Sequence, residues 1–171
     1  NVTSISTDAA GSLKIDGGTI NASEFQRYRD RVILGADTVL TGPLVVLDGR
    51  VEGAHALTIT GGARLNGTVA VKDFTVGGRT ELNSDVTTTG SQSYGSILLT
   101  KDVVLTAGGD ALFNSDIQGS RALTVNSAGL TRFDGAVGLT SLATDAAGSA
   151  MAARMAMIAT TIISSIKVKP F

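Results

Sequence analysis

Through most of the chain, apolar and polar side chains alternate in short runs. Leu13-Lys14-Ile15, Leu57-Thr58-Ile59, Phe74-Thr75-Val76 and Leu123-Thr124-Val125 are examples. A period of two over so few residues predicts short strands, each with one buried face. The runs are separated by Gly-Gly, as at Gly61-Gly62 and Gly77-Gly78, or by Asn or Asp before Gly, as at Asp16-Gly17, Asp48-Gly49, Asn66-Gly67 and Asp134-Gly135. Such residues close tight turns, and they are expected to supply positive φ angles at the corners between strands.

The runs recur on two scales. Like triplets stand 17 residues apart: Leu57 and Phe74, Leu65 and Leu82, Val125 and Leu142. A longer period near 66 residues pairs Ile20 with Val86, Gln26 with Gln92 and Tyr28 with Tyr94. "VILGADTVLT" at residues 32–41 then matches "ILLTKDVVLT" at 97–106. "VEGAHALTI" at 51–59 matches "IQGSRALTV" at 117–125, and "RLNGTV" at 64–69 matches "RFDGAV" at 132–137. "TDAAG" stands at residues 7–11 and again at 144–148, about two long periods later. Residues 1–148 therefore read as about two copies of a 66-residue super-repeat.

Two architectures use short strands and tight turns. An antiparallel sandwich wants strands of about five or six residues and no long repeat. A parallel β-helix wants one coil per roughly 17–20 residues, with strands stacked about 4.8 Å apart. The 17-residue recurrence favours the second. The predicted fold class is all-β: a parallel β-helix (β-solenoid) of about eight coils, about 35–40 Å long, followed by a short non-repeat C-terminal segment. Each inward Val, Leu or Ile then stacks on an equivalent residue one coil away. Aromatic residues are only 4% of the chain, as expected if a narrow coil cannot take a large ring in every layer.

Composition narrows the function. The formal net charge is −1, so no basic surplus exists to neutralise phosphates and nucleic acid is not an expected partner. There is no cysteine, which excludes disulfides and thiolate metal sites. No apolar run reaches the roughly 18–20 residues of a spanning helix, so membrane insertion is not expected. The chain opens at Asn1 without Met or a visible signal peptide, the pattern of a processed or excised segment.

"VTTTGSQSYGSILLTKDVVLTAGG" at residues 86–109 resembles the β-strand repeats of filamentous-haemagglutinin-like adhesins and related autotransported surface proteins. Those repeats carry a Thr-Thr-Gly-x-Gln-x-Tyr stretch, an apolar strand, then Asp-x-x-Leu-Thr and Gly-rich corners. The first copy keeps Gln26 and Tyr28 but has Ala22-Ser23-Glu24 in place of Thr-Thr-Gly. The resemblance spans roughly residues 1–148 and implies a right-handed β-helix at the extracellular surface of a bacterium. It also implies a structural or adhesive module that acts as an extended stalk. "VLDGRVEG" at residues 46–53 is similar, over eight residues only, to bactofilin scaffold proteins, which the 66-residue period fits poorly.

From Ser149 the pattern breaks. Residues 149–171 contain all three methionines and no glycine. Residues 150–159, rich in Ala and Met, favour a short helix, and the β-branched residues 160–168 favour a strand. This segment reads as a cap over the last coil, or as an assembly element docking on an identical subunit through Met151, Met155, Met157, Ile162, Ile163, Ile166 and Phe171. The second reading makes the chain a subunit of an extracellular filament or sheath.

Candidate chemistry is sparse. His55, the only histidine, aligns with Arg121, which suits a solvent-facing corner better than a catalytic base. No Gly-x-Ser-x-Gly elbow, His-Glu-x-x-His helix or P-loop occurs. β-Helices host polysaccharide lyases and hydrolases, which need two or three converging carboxylates. Asp48, Glu52, Asp110 and Asp116 are the residues to examine for that third reading, although Asp before Gly is foremost a turn residue. Gln26, Tyr28, Gln92 and Tyr94 are the large polar residues that recur together; they either brace an irregular loop or form a ladder for a host or matrix glycan or protein. "FQRYRDR" at residues 25–31, with Arg27, Arg29 and Arg31, has no counterpart in the second copy and reads as a loop on one flank. No catalytic residue, metal ligand or cofactor site is assigned, and the chain is not expected to be an enzyme.

Overall fold

A computed structural model describes residues 2–146. These form a β-solenoid of about eight turns with three flat faces, here called A, B and C, and all strand pairing is parallel. No helix occurs among the described residues. The cap or assembly residues Met151, Met155, Met157, Ile162, Ile163, Ile166 and Phe171 lie outside them.

Each coil visits the faces in the order A, B, C. Coil 1 is β1 (Val2–Ser6), β2 (Ser12–Ile15) and the first part of β3 (Thr19–Tyr28), which runs on round a corner to open coil 2. Coil 2 continues with β4 (Arg31–Leu34) and β5 (Thr38–Thr41). Coil 3 is β6 (Leu44–Leu47), β7 (Val51–Glu52) and β8 (Leu57–Ile59); coil 4 is β9 (Gly62–Leu65), β10 (Val69–Val71) and β11 (Phe74–Val76). Coil 5 is β12 (Thr80–Leu82), β13 (Val86–Thr88) and β14 (Gln92–Tyr94). Coil 6 is β15 (Ile97–Leu99), β16 (Val103–Ala107) and β17 (Ala111–Phe113). Coil 7 is β18 (Ile117–Gln118), β19 (Ala122–Ser127) and β20 (Thr131–Phe133), and coil 8 begins with β21 (Val137–Gly138) and β22 (Ser141–Ala146).

The triplets form because an apolar residue on either side of a polar one puts two side chains inside and one outside. Leu47, Leu65, Leu82 and Leu99 make one interior column; Val51, Val69, Val86, Leu105 and Val125 make another. The 17-residue spacing holds where Phe74 stacks on Leu57 and Leu82 on Leu65. It fails at the third pair: Leu142 stacks on Leu123 and Val125 meets Thr144, because the later coils are longer.

Two further expectations change. The rings are not kept apart: Phe74, Tyr94, Phe113 and Phe133 come from four successive coils and touch, with centroids 5.8, 5.6 and 4.7 Å apart. Their spine fills the interior beside face C, where smaller side chains would leave voids. The corners, moreover, do not turn on positive φ. Gly53 (φ 144°) and Gly119 (φ 140°) alone adopt it among the described residues. At several other corners Asp and Asn hydrogen-bond to a neighbouring coil, as at Asp37, Asp48, Asn66 and Asp73.

Candidate functional site

The long repeat is a screw in three dimensions. Gln26 lies on face A of coil 2 and Gln92 on face C of coil 5, so the copies are related by three and two-thirds coils. Matching segments shift by one face throughout. β4 and β5 on faces B and C correspond to β15 and β16 on faces A and B, and β7 and β8 to β18 and β19.

Under this operation the glutamine–tyrosine pairs keep their environment. Gln26 Nε2 donates to the carbonyls of Ile20 (3.2 Å) and Thr41 (2.9 Å), while the Tyr28 hydroxyl donates to Gln26 Oε1 at 2.7 Å. Gln92 Nε2 donates to the carbonyls of Val86 (3.3 Å) and Thr106 (2.8 Å), and the Tyr94 hydroxyl donates to Gln92 Oε1 at 2.8 Å. Each amide thus bridges two successive passes of the neighbouring face. Gln26, Gln92 and Tyr94 are 0% exposed and Tyr28 is 1% exposed. These four side chains are therefore corner brackets inside the coil, with no surface to offer a glycan or partner. Burial pushes the Tyr28 phenol up to about 12 and likewise raises that of Tyr94 well above its ordinary value.

The carboxylates are dispersed. Asp48 Oδ2 accepts from Arg27 Nε (2.6 Å) and Asp48 Oδ1 from Asn66 Nδ2 (2.6 Å), and Asn66 Oδ1 accepts from Asn83 Nδ2 (2.7 Å), a ladder along the A–B corner. Partial burial pushes the Asp48 pKa up, but the Asn66 and Arg27 hydrogen bonds and the Arg27 and Arg29 charges leave it below the usual carboxylate range. Glu52, on face B, pairs with Arg31 and with Arg50, the latter at 2.8 Å. Asp110 and Asp116 sit three coils further on, at two other corners, and each accepts a backbone N–H from the coil above: Leu130 and Ala136, at 2.8 and 2.9 Å. The four do not converge. Among the described residues no group of three His, Cys, Asp or Glu is placed to hold a metal ion.

The same Asp–backbone clamp recurs at Asp37 to Ala56, Asp73 to Ser91, Asp85 to Val104 and Asp102 to Ala122, all at 2.8–2.9 Å. In every case the aspartate immediately precedes a strand and caps the N–H stacked directly above it. The Ala56 N–H, chiefly, holds the Asp37 carboxyl below its ordinary value. The sequence carries the signal, an Asp one position before the first inward residue, but the turn reading above covers only Asp before Gly and does not reach these positions.

The arginines of "FQRYRDR" lie on strand and corner, not on an inserted loop. Phe25–Tyr28 belong to β3 and pair with β6. Arg29 Nη1 donates to Ser6 Oγ (2.8 Å) and to the Thr7 carbonyl (3.1 Å), so all three arginines reach to a neighbouring coil. His55 is a half-exposed corner residue whose Nδ1 lies 3.6 Å from Asp37 Oδ1. A shallow depression of about 230 Å³ on face B is lined by Thr106, Asn126, Ser127 and Asp145; its lining holds one carboxylate and no cationic side chain.

Fold and side chains together define a β-solenoid whose polar groups tie coil to coil. No family model, curated protein or solved structure matches the chain.

Proposed function

We propose that this chain is a structural module, an extended scaffold or stalk segment of a secreted bacterial surface protein, and not an enzyme. One observation carries the reading. The side chains with the most chemical potential, the Gln–Tyr brackets and the Asp clamps, are committed to holding successive coils together. The resemblance to haemagglutinin-like repeats supports the surface location. The test is incubation with a panel of neutral and acidic polysaccharides, following reducing-sugar and unsaturated-product release and saturable binding. A scaffold gives neither. Product release would replace it by a polysaccharide-degrading β-helix, and tight glycan binding by an adhesive face.

A second reading, a self-assembling subunit of a filament or sheath, is favoured by a different observation. β1 pairs with β3 on one side only, so its outer edge has no partner among the described residues.

A further inference from the structure

β1 and β22 are copies of one another in sequence. Residues 3–12 read TSISTDAAGS and residues 140–149 read TSLATDAAGS, identical at eight of ten positions. Their surroundings differ in one respect. In β22 the edge facing earlier coils is filled: Ser141, Leu142, Ala143 and Thr144 pair with Ala122, Leu123, Thr124 and Val125 of β19. In β1 the corresponding edge has no partner among the described residues, and Ile5, Leu13 and Ile20, one from each face, are only half covered there. The second copy therefore shows a strand, β19, that the matching edge of the first is shaped to fit.

We infer that the N-terminal edge of the solenoid docks on the seventh coil of a second copy of this chain, β1 lying parallel on β19 in the register that β22 uses. Ile5 then stands where Leu142 stands, over Leu123, and Ser6 stands over Thr124. β22 is the internal competitor, and its replacement by β1 exchanges one sequence for its near-duplicate, so most contacts are remade. Face A of one copy continues as face B of the next. Two steps of the long repeat make that turn inside the chain: each step is three and two-thirds coils and carries face A to face C, as the Gln–Tyr brackets show by keeping their hydrogen bonds, and the two together carry β1 on face A to β22 on face B. The contact joins two different surfaces, so it propagates head to tail instead of closing into a dimer. This inference rests on the assembling-subunit reading and names the surface by which subunits would join.

The chain has no cysteine, so introduced thiols report alone. In the full 171-residue chain, Ser6→Cys with Thr124→Cys places both thiols on outward positions. Within one molecule they lie six coils, about 29 Å, apart at about 4.8 Å per coil, far beyond the roughly 7 Å disulfide limit. Between molecules they are stacked neighbours. Mild oxidation should give a reducible ladder of dimers, trimers and higher species, at least tenfold stronger than from Ser6→Cys with Thr87→Cys, an outward control on the same face two coils away. Ser4→Cys with Ala122→Cys occupies the same register and serves if the first pair perturbs folding by circular dichroism. Equal ladders, or none, from the register pairs overturn the docking. If light scattering still shows oligomers, the subunit reading survives with another joint; monomers at every concentration sink both.

Discussion

Gln92 and Tyr94 show how one hydrogen-bond set decides a residue's role. The amide uses both its donors on backbone carbonyls and its oxygen on the phenol, so removing the hydroxyl leaves Gln92 Oε1 buried without a donor. Tyr94→Phe is expected to cost about 1–3 kcal/mol, read as a lower denaturation midpoint without change of slope. Thr80 gives the opposite sign: its buried Oγ1 has no partner between Ala63 and Ile97 in the face A column. Thr80→Val keeps the shape, removes that hydroxyl and should stabilise by about 1 kcal/mol. Acid sensitivity belongs to this scale too. Asp37 and Asp48 have lowered folded-state pKa values, so their contributions are complete above the ordinary Asp value of about 3.9 and fade as pH falls through the folded values. Asp48→Asn should flatten the acid limb of the stability profile, measured by urea midpoints between about pH 5 and pH 2. Recurrence of the Gln–Tyr pair was legible from the sequence, but its burial was not. Glutamine is mostly a surface residue, and its carbonyl partners, in Val86 and Thr106, lie on either side of it along the chain.

At the scale of the element, short strands need help at their ends. β7 and β18 hold two residues each, and each is followed by a glycine with positive φ, Gly53 and Gly119. A Cβ at Gly53 would sit 2.5 Å from the Leu34 carbonyl oxygen, and one at Gly119 would press on that of Leu99 in the same way. Ala at either position meets both a strained φ and this clash, so a loss of about 2 kcal/mol or more is expected for each. Thermal unfolding of the two single variants checks it, and unequal losses would show that the two sites are not equivalent. The strands themselves were readable because alternation is a local property. Their spacing was only partly so: the register is set by how many residues each corner absorbs, and these grow in the later coils. Hence the pairing of Leu65 with Leu82 follows the 17-residue rule, while Val125 passes Leu142 to meet Thr144. The stacked rings escaped because Phe74, Tyr94, Phe113 and Phe133 follow one another at 20, 19 and 20 residues, the length of the longer coils, and not at the 17-residue spacing that the triplets brought out.

For the molecule as a whole, a solenoid is nearly one-dimensional, since each coil touches only its neighbours and stability is a sum of coil and interface terms. Among the described residues the middle coils have two interfaces and coil 1 has one, as β1 shows by pairing there with β3 alone. Amide hydrogen exchange should therefore be slowest in β10, β13 and β16, whose residues are flanked on both sides, and fastest in β1. Protection that is uniform along the chain would mean all-or-none opening and would remove the basis for treating the coils as separable units. The same measurement carries a second, sharper expectation. If β1 docks on β19 of another copy, its amides gain partners only when molecules meet, so β1 protection should rise with protein concentration while that of β13 stays fixed. β22, displaced from β19 at the same contact, should lose protection in step. A concentration-independent profile at both strands would leave the solenoid a solitary rod, and the duplicated ten-residue segment a record of how the repeat was copied rather than a joint.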